Sequence, residues 1–310
     1  FFISERFNYQ SSKKKEAIND YFFFSSNIYY CLYNFNYMNK NTKGILLAAG
    51  TGTRLMPATL PLSKPLLPVY DKPMIYYPLE TLVRLGIKDI LFIIQEEDVA
   101  LFKKIFGTGK EVGLNFSYEI QKVQRGIADA YIIANDFLNG APSVLALSDN
   151  VFLGEKYFDF AKLTHQKMLE VGGGIFGLAV PDPEKFGVIE LDINNQIIGI
   201  EEKPLHPKSD LIIPGMYFFD HMATEFVKQL KPSKRGELEI TDLIEIYLKK
   251  DKLGLQVLDK SIEWHDTGNA KSLLEASTKV KNFEDSQKQK LGSYEIACFD
   301  MGFITKDQLL

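Results

Sequence analysis

"ILLAAGTGTRLMP", residues 45–57, joins an apolar stretch to a loop that contains Gly50 and Gly52. The apolar residues predict a buried strand, and the glycines allow the backbone to turn sharply after it. Two common phosphate-binding loops are excluded. A Rossmann fingerprint needs a third glycine where this chain has Leu55, and a P-loop ends in Gly-Lys-Ser or Gly-Lys-Thr. The alternatives are a simple turn or a loop whose N–H groups surround phosphate oxygens while Arg54 donates to the same anion.

The residues that follow this loop alternate between strand and helix patterns, which predicts an α/β fold with a largely parallel sheet. Ligands of open α/β sheets bind at the carboxyl ends of the strands. The loop after the first strand and Asp149, at the end of a later strand, therefore predict one crevice. Strands are expected at residues 44–49, 89–94, 115–121 and 143–150, and helices at 74–86, 101–107 and 127–138.

The second half of the chain is β-rich with short turns and predicts mixed or antiparallel strands beside the first sheet. Strands are expected at residues 173–180, 187–192, 196–203 and 211–220, and helices at 237–250 and 272–291. The predicted organisation is an appendage at 1–42 that is disordered or not native, an α/β domain at 43–271 and a C-terminal helical extension at 272–310.

The first forty residues are crowded with Phe, Tyr, Asn and Lys and show no helical or alternating period. They contain no apolar run of the roughly 18 residues that a membrane span requires. We expect an appendage, with Met38 as the true start, so that removal of residues 1–37 leaves activity unchanged. A peripheral anchor is the alternative.

Composition excludes several classes of protein. The net charge of -4 and the pI of about 5.7 argue against a duplex nucleic-acid binder. The two cysteines and four histidines show none of the spacings that zinc sites or disulfide frameworks require, which favours a reducing, cytoplasmic location. We therefore expect neither a nucleic-acid nor a membrane partner.

The stretch LPLSKPLLPVYDKPM, residues 60–74, contains four prolines around Lys64 and Lys72. Prolines stiffen the backbone and lower the entropic cost of holding a side chain in place. The cations Arg54 and Lys64 are thus predicted to converge on one polyphosphate.

Eight segments in order resemble the sugar-phosphate nucleotidylyltransferases: LAAGTGTRL, SKPLLPVYDKPMIYYPLETL, LSDN, FGVIE, EEKP, GMYFFD, RGELEITDL and WHDTG. The likeness runs from Lys43 nearly to the end of the chain. It implies a Rossmann-like nucleotidyltransferase core with a mixed sheet flanked by helices, and a β-rich sugar-binding part. It also implies attack of a sugar 1-phosphate on the α-phosphorus of a nucleoside triphosphate, without a covalent intermediate. The implied substrates are dTTP and glucose 1-phosphate, with Mg²⁺ as cofactor, a homotetrameric assembly and a place in dTDP-rhamnose and polysaccharide synthesis.

The resemblance also assigns residues to roles. Arg54 and Lys64 would act on the phosphates as catalytic residues, and Asp149 and Asp266 would hold the metal. The nucleotide would be bound by Ala49, Gly50, Gly52, Thr53, Gln121 and Gly126. The sugar phosphate would be bound by Gly187, Glu202, Lys203, Tyr217 and Arg235.

Local alternatives exist for several of these residues. Asp149 is also a possible cap and Asp266 a possible Asx-turn. Arg235 is a possible partner for Glu237 or Glu239. The alternation of residues 196–203 predicts that Glu202 and Lys203 lie on opposite sheet faces.

One departure from the family leaves the choice between dTTP and UTP open, because Asp129 stands where relatives commonly have glutamine. A uridylyltransferase therefore remains an alternative. A second departure concerns the sugar, because Phe186 stands where many relatives have tyrosine and so lacks a hydroxyl for the sugar contact. A glycosyltransferase is disfavoured because no second aspartate follows Asp149 at the D-x-D position. A noncatalytic homologue is disfavoured because the two phosphate-binding cations, both metal aspartates and Lys203 are all retained.

Overall fold

The computed structural model describes residues 41–309, and within this range the core is a large mixed sheet flanked by helices. In chain order the strands are β1 (Lys43–Leu47), β2 (Pro68–Val69), β3 (Lys72–Pro73), β4 (Asp89–Ile94), β5 (Asn115–Ile120), β6 (Ser143–Leu147), β7 (Asn150–Leu153), β8 (Gly173–Ala179), β9 (Gly187–Leu191), β10 (Ile197–Glu202), β11 (Leu211–Ile212), β12 (Met216–Phe219), β13 (Leu253–Val257) and β14 (Glu263–Asp266). The helices are α1 (Tyr76–Arg84), α2 (Val99–Phe106), α3 (Asp129–Ile133), α4 (Asn135–Leu138), α5 (Tyr157–Val171), α6 (Ala223–Phe226), α7 (Ile240–Lys249), α8 (Ala270–Gln287), α9 (Tyr294–Asp300) and α10 (Lys306–Leu309).

The main sheet has ten strands, nine of them in the order β10-β9-β11-β8-β12-β6-β1-β4-β5, with β13 paired to β8. The β6-β1-β4-β5 part is parallel throughout. Antiparallel β12 then joins β6 to the strands of the second half. The predicted mixed α/β fold is confirmed, with the parallel sheet in the first half and the antiparallel pairs in the second.

Both faces of the parallel part are covered, which explains why β1 reads as a continuous apolar run. Ile45 and Leu46 are fully buried in separate core clusters on opposite faces, as the two-residue period of a strand requires. Helices α1, α2 and α5 cover one face, and α3, α6 and α7 cover the other. Helix α1 packs very close to β1: a Cβ on Gly44 would lie 2.9 Å from the Leu82 side chain.

The long C-terminal helix α8 packs against the elements that carry the site. Helix α8 begins with a capping box in which the side chain of Asn269 accepts from the backbone N–H groups of Lys271 and Ser272. It shares an apolar cluster with Leu55 of the first loop and Val151 of β7. The division of the chain at residue 271 stays a prediction.

Several elements differ from their predictions. The helix expected at 127–138 is broken at Ala134 into α3 and α4. Helix α5 and strands β13 and β14 were not predicted. Residues 1–40 of the predicted appendage lie outside the described residues, whereas Thr42 is buried and its hydroxyl lies 3.0 Å from His165 Nε2. Between residues 41 and 309, no helix has both the length and the apolar character needed to cross a bilayer.

Candidate active site

The loop after β1 turns at Gly52 and leaves Gly50 facing open space. Gly52 has a φ of +61°, in the left-handed region that favours glycine. A Cβ there would lie 2.8 Å from Thr59 Cγ2 and 2.9 Å from Lys64 Cβ, whereas a Cβ on Gly50 would have no neighbour within 4 Å. Thr53 then begins a short 3-10 turn that carries Arg54. Gly52 therefore brings the proline-rich segment against the loop, and Gly50 leaves room above it.

Lys64 is buried although it is charged, because it lies on a 3-10 turn that the following chain holds in place. The backbone N–H of Ile75 donates to the carbonyl of Pro65 at 3.0 Å, and that of Met74 donates to Leu67 at 2.9 Å. The Lys64 ammonium forms an ion pair with Asp149. Attraction to Asp149 offsets part of the desolvation cost of the buried ammonium.

Asp149 and Asp266 are brought together by a two-stranded antiparallel ribbon, β7 with β14. The predicted strand at 143–150 is divided: β6 ends at Leu147 and β7 starts at Asn150, so Asp149 lies at the junction. The hydroxyl of Thr267 donates to the Asp149 carbonyl at 2.8 Å, and its backbone N–H donates to the same oxygen at 3.1 Å. Two residues more than a hundred positions apart thus share one end of a ribbon.

Asn150 braces this ribbon from the inside. Its amide nitrogen donates to Asp149 Oδ1 at 2.9 Å, and its Oδ1 accepts from Trp264 Nε1 at 2.6 Å and from the Gly215 N–H at 2.9 Å. In the sequence this asparagine appears only as the last residue of the LSDN segment, with no role assigned to it. Its bracing role has no sequence signal of its own. Phe186, the second departure from the family, packs edge-on against Trp264 with ring centroids 5.1 Å apart.

The electrostatics of the ribbon end involve four charged groups. Burial raises the pKa of Asp266, and the negative charge of Asp149 raises it further, while Lys64 and Arg54 act in the opposite direction. The Arg54 guanidinium lies close to Asp266, and both side chains border Gly268. A Cβ on Gly268 would be 2.8 Å from Arg54 Nη2 and 3.0 Å from Asp266 Oδ1. All four predicted phosphate and metal residues therefore meet in one place. The Asx-turn alternative for Asp266 also has support, because its carboxylate accepts from the Gly268 backbone.

The donor set of this pair fits magnesium. Mg²⁺ prefers oxygen ligands and is commonly bound by one or two carboxylates together with substrate phosphates and water. Asp149 and Asp266 supply two such carboxylates. Among the described residues, no group of three or more His, Cys, Asp or Glu side chains is placed to hold a metal ion. A metal here would therefore share its coordination with a phosphorylated substrate.

Glutamines line the adjoining strand ends. Gln95 and Gln124 each donate Nε2–H to the Ala49 carbonyl, at 2.8 and 2.7 Å. Gln121 follows β5, is buried, and donates Nε2–H to Asp129 Oδ2 at 3.2 Å. Ala49 and Gln121 were predicted for the nucleotide, whereas Gln95 and Gln124 were missed. Their only sequence signal is their place just after predicted strands.

The conformation and the surroundings of Gly126 both require a glycine. Its φ is +100°, and a Cβ would lie 2.4 Å from the Leu238 carbonyl oxygen. The Leu238 N–H donates to the Arg125 carbonyl at 2.6 Å. The glycine is thus required by the chain that crosses over it. Its contact with a base stays a prediction.

Four of the five predicted sugar-phosphate residues gather at the end of β10, namely Gly187, Glu202, Lys203 and Arg235. Glu202 Oε1 lies 3.6 Å from Lys203 Nζ and 3.7 Å from Arg235 Nη2, and Glu202 Oε2 accepts from the Thr241 hydroxyl at 3.1 Å. A Cβ on Gly187 would lie 3.5 Å from Glu202 Oε2. Burial is the main cause of a raised pKa at Glu202.

The prediction that Glu202 and Lys203 lie on opposite faces is wrong. Strand β10 ends at Glu202, and Lys203 has a φ of +46°, so the alternation stops and the two charged ends approach each other. The predicted pairing of Arg235 is confirmed with both acidic partners. It donates twice to Glu239, at 3.1 and 2.8 Å, and once to Glu237 at 3.0 Å.

Tyr217 is influenced by carboxylates from both parts of the site. It is buried on β12, and burial is the first cause of its raised pKa. The negative charges of Glu202 and Asp149 raise the pKa further. Both carboxylates therefore act electrostatically on one phenol. Tyr217 thus links the cluster of predicted sugar-phosphate residues to the end of the β7–β14 ribbon.

Residues 43–282 match the family model described as Nucleotidyl transferase, a span that contains the whole main sheet together with Asp149 and Asp266. The chain belongs to this family of nucleotidyl-transferring enzymes.

Particular relatives narrow the class. The chain is 46% identical over 264 residues to a glucose-1-phosphate thymidylyltransferase of Neisseria gonorrhoeae, covering 85% of this chain and 91% of the relative. It is 42% identical over 268 residues to the enzyme of that name from Mycolicibacterium smegmatis, covering 86% and 92%.

Solved structures agree with this class. A Bacillus anthracis structure named as a glucose-1-phosphate thymidylyltransferase, in complex with sucrose, is 38% identical and superimposes with a TM-score of 0.70, over 76% of this chain and 94% of that chain. A UDP-glucose pyrophosphorylase complexed with UDP-glucose has a TM-score of 0.69 at 23% identity, over 80% and 99%. That second likeness concerns the fold.

Proposed function

We propose that this protein transfers the thymidylyl group of dTTP to glucose 1-phosphate and releases pyrophosphate, forming dTDP-glucose. The observation that carries the proposal is the meeting of Arg54 and Lys64 with Asp149 and Asp266 at the carboxyl edge of the parallel strands. Cations for a triphosphate and carboxylates for a divalent ion are what phosphoryl-type transfer requires. The names of relatives at 40–46% identity support the choice of nucleotide and sugar.

Catalysis in this proposal consists of positioning and charge stabilisation. Lys64 is held at the ribbon end by Asp149 and is available to the α-phosphate that is attacked. Arg54 stands at the exposed loop, where it would bind the β- and γ-phosphates and the departing pyrophosphate. When bound by Asp149 and Asp266, Mg²⁺ would neutralise negative charge on the phosphates.

The sugar phosphate is assigned to the cluster at the end of β10. The Glu202 carboxylate would accept hydrogen bonds from sugar hydroxyls, while Lys203 and Arg235 would contact the phosphate. A Cβ on Gly187 would lie 2.7 Å from Thr241 Cγ2, so this glycine lets Thr241 pack close to Glu202, and the charges of Glu202 and Asp149 both act on Tyr217. The attacking phosphate oxygen would then face the ribbon end.

The nucleoside is assigned to the ends of β1, β4 and β5. These strands are neighbours, so Gln121 lies two strand spacings, about 10 Å, from the loop after β1. That separation suits a nucleotide with its phosphates at Gly50 and Gly52 and its base near Gln121 and Gly126.

A uridylyltransferase is the second candidate, favoured by one observation. Gln121 presents an amide, which would contact the imide edge that thymine and uracil share. Thymine differs from uracil by its C5 methyl group. None of the contacts of Gln121 with the described residues involves a group that could recognise this methyl.

A pyrophosphate-release assay tests both candidates. It would cross dTTP, UTP, dCTP and dATP with the 1-phosphates of glucose, galactose and mannose. The highest kcat/KM is expected for dTTP with glucose 1-phosphate. A higher value for UTP would favour the second candidate, and release with no pair would overturn both.

Four further features belong to this proposal and rest on the family resemblance. They are dependence on Mg²⁺, a homotetramer, a cytoplasmic location and a role in dTDP-rhamnose and polysaccharide synthesis. Loss of turnover in EDTA with recovery on added Mg²⁺ tests the first. Light scattering of the eluted protein tests the second, and a mass near that of one chain would contradict it.

A further inference from the structure

Asp129 is a buried carboxylate beside the proposed base site. It is the first residue of α3 and is 1% exposed. Its Oδ1 accepts from Arg125 Nη2 at 2.8 Å, and its Oδ2 accepts from Gln121 Nε2 at 3.2 Å. The Arg125 side chain is more than half exposed, so one partner faces solvent and the other faces the protein interior.

This contact fixes the orientation of the Gln121 amide. An ionised carboxylate only accepts hydrogen bonds, so it can face the NH₂ end of an amide and not its oxygen. The backbone N–H of Gln121 is itself held by the Ile94 carbonyl at 2.9 Å, so the side chain starts from a fixed position. With Nε2 directed at Asp129, Oε1 is left as an acceptor for a ligand.

We propose, resting on the function proposed above, that Asp129 is a positioning residue that sets pyrimidine selectivity by preventing the Gln121 amide from flipping. Thymine and uracil present N3–H beside a carbonyl, which matches Oε1 together with the remaining Nε2–H. Cytosine presents an acceptor at N3 beside an amino group, which requires the reversed amide. The arrangement therefore selects an imide-bearing pyrimidine and rejects cytosine.

The test compares equilibrium binding of dTTP and dCTP to the full chain by calorimetry, without sugar phosphate, so that turnover does not enter. In Asp129→Asn the new side chain both donates and accepts, and either orientation of Gln121 becomes acceptable. The preference for dTTP over dCTP, as a ratio of Kd values, should fall about tenfold or more, since one mismatched buried hydrogen bond is removed.

Arg125→Gln provides the matched control. It removes the positive charge beside Asp129 but keeps an N–H donor for its Oδ1 and leaves the contact with Gln121 in place, so the preference should stay within about threefold of the original chain. If the substitutions only loosened the site in general, the preference for dTTP over dCTP would fall to a similar extent in both variants. Thermal unfolding of each variant checks that the fold persists, and Asp129→Ser serves if the asparagine variant does not fold.

The outcomes separate this inference from the function on which it rests. If the original chain prefers dTTP over dCTP and Asp129→Asn retains the same ratio, the role of Asp129 is wrong and the proposed function stands. If the original chain shows no preference for dTTP over dCTP, the proposed role of Asp129 is also wrong. Absence of pyrophosphate release from every substrate pair overturns the proposed function itself.

Discussion

Replacement of Gly52 by alanine tests whether the loop after β1 sets the position of Lys64. The added methyl group would lie 2.8 Å from Thr59 Cγ2 and 2.9 Å from Lys64 Cβ, in a residue whose φ is +61°. Gly50, two residues earlier, offers a matched control because a methyl group there would meet nothing within 4 Å. One loop thus contains both the sensitive and the tolerant position.

The size of the effect follows from two costs. A non-glycine residue in the left-handed region costs about 1–2 kcal/mol. Contacts below 3.0 Å force Thr59 and Lys64 to move, and overpacking of this kind costs about 1–3 kcal/mol. Gly52→Ala should therefore lower the free energy of unfolding by about 3 kcal/mol, whereas Gly50→Ala should change it by less than about 0.5 kcal/mol.

Two assays read out the change. Urea titration at 25 °C gives the free energy of unfolding of both variants. Pyrophosphate release gives kcat, which should fall about 100-fold in Gly52→Ala, because a displacement of Lys64 by about 1 Å misaligns it with the transferring phosphate. Gly50→Ala should keep its stability but raise the KM for dTTP. Equal losses of stability in the two variants, or an unchanged kcat in Gly52→Ala, would refute the reasoning.

Three other perturbations have defined outcomes. Asp149→Asn and Asp266→Asn should each lower kcat about 100-fold or more without unfolding the chain, because each removes negative charge from the proposed metal site; near-normal pyrophosphate release would remove that assignment. Burial lowers the pKa of His165 from 6.5 to about 4, so the unfolded chain binds a proton that the folded state excludes. Urea titrations should show full stability above about pH 6.5 and a loss approaching about 3 kcal/mol by pH 4, and His165→Gln should lack this part of the pH dependence; parallel curves would contradict it. Gly126→Ala should cost about 3 kcal/mol or more in the same titration, because its Cβ would collide with the Leu238 backbone, and full stability would show that this crossing can move.

The parallel half of the fold was predictable because its strands are buried on both faces. The strand at 89–94 was predicted with the bounds that β4 has. Helix α5 was missed although Tyr157, Ala161, Thr164, His165 and Met168 follow a helical period and are buried. Two of these five residues are polar, so the apolar stripe that reveals a surface helix is interrupted.

The sequence predicted that Arg54, Lys64, Asp149 and Asp266 lie near one another, but not the strand pairing that brings the two aspartates together. Nothing local pairs β14 with β7, since each has four residues and more than a hundred residues separate them. The family resemblance paired Asp149 with Asp266 as metal ligands, but it predicted neither β14 nor its pairing with β7. Gln95 and Gln124 were missed because their contacts are with a backbone carbonyl, and backbone carbonyls are the same at every position.

The ribbon of β7 and β14 also limits where the chain can tolerate engineering. Its register decides whether Asp266 stands beside Asp149, and a slip by one residue would send the carboxylate to the opposite face. The hairpin between β9 and β10 is freer, because Ile193 at its tip is 97% exposed. A reporter domain inserted at that tip should leave Asp149 and Asp266 side by side. Deletion of a single residue within β14 should abolish this alignment.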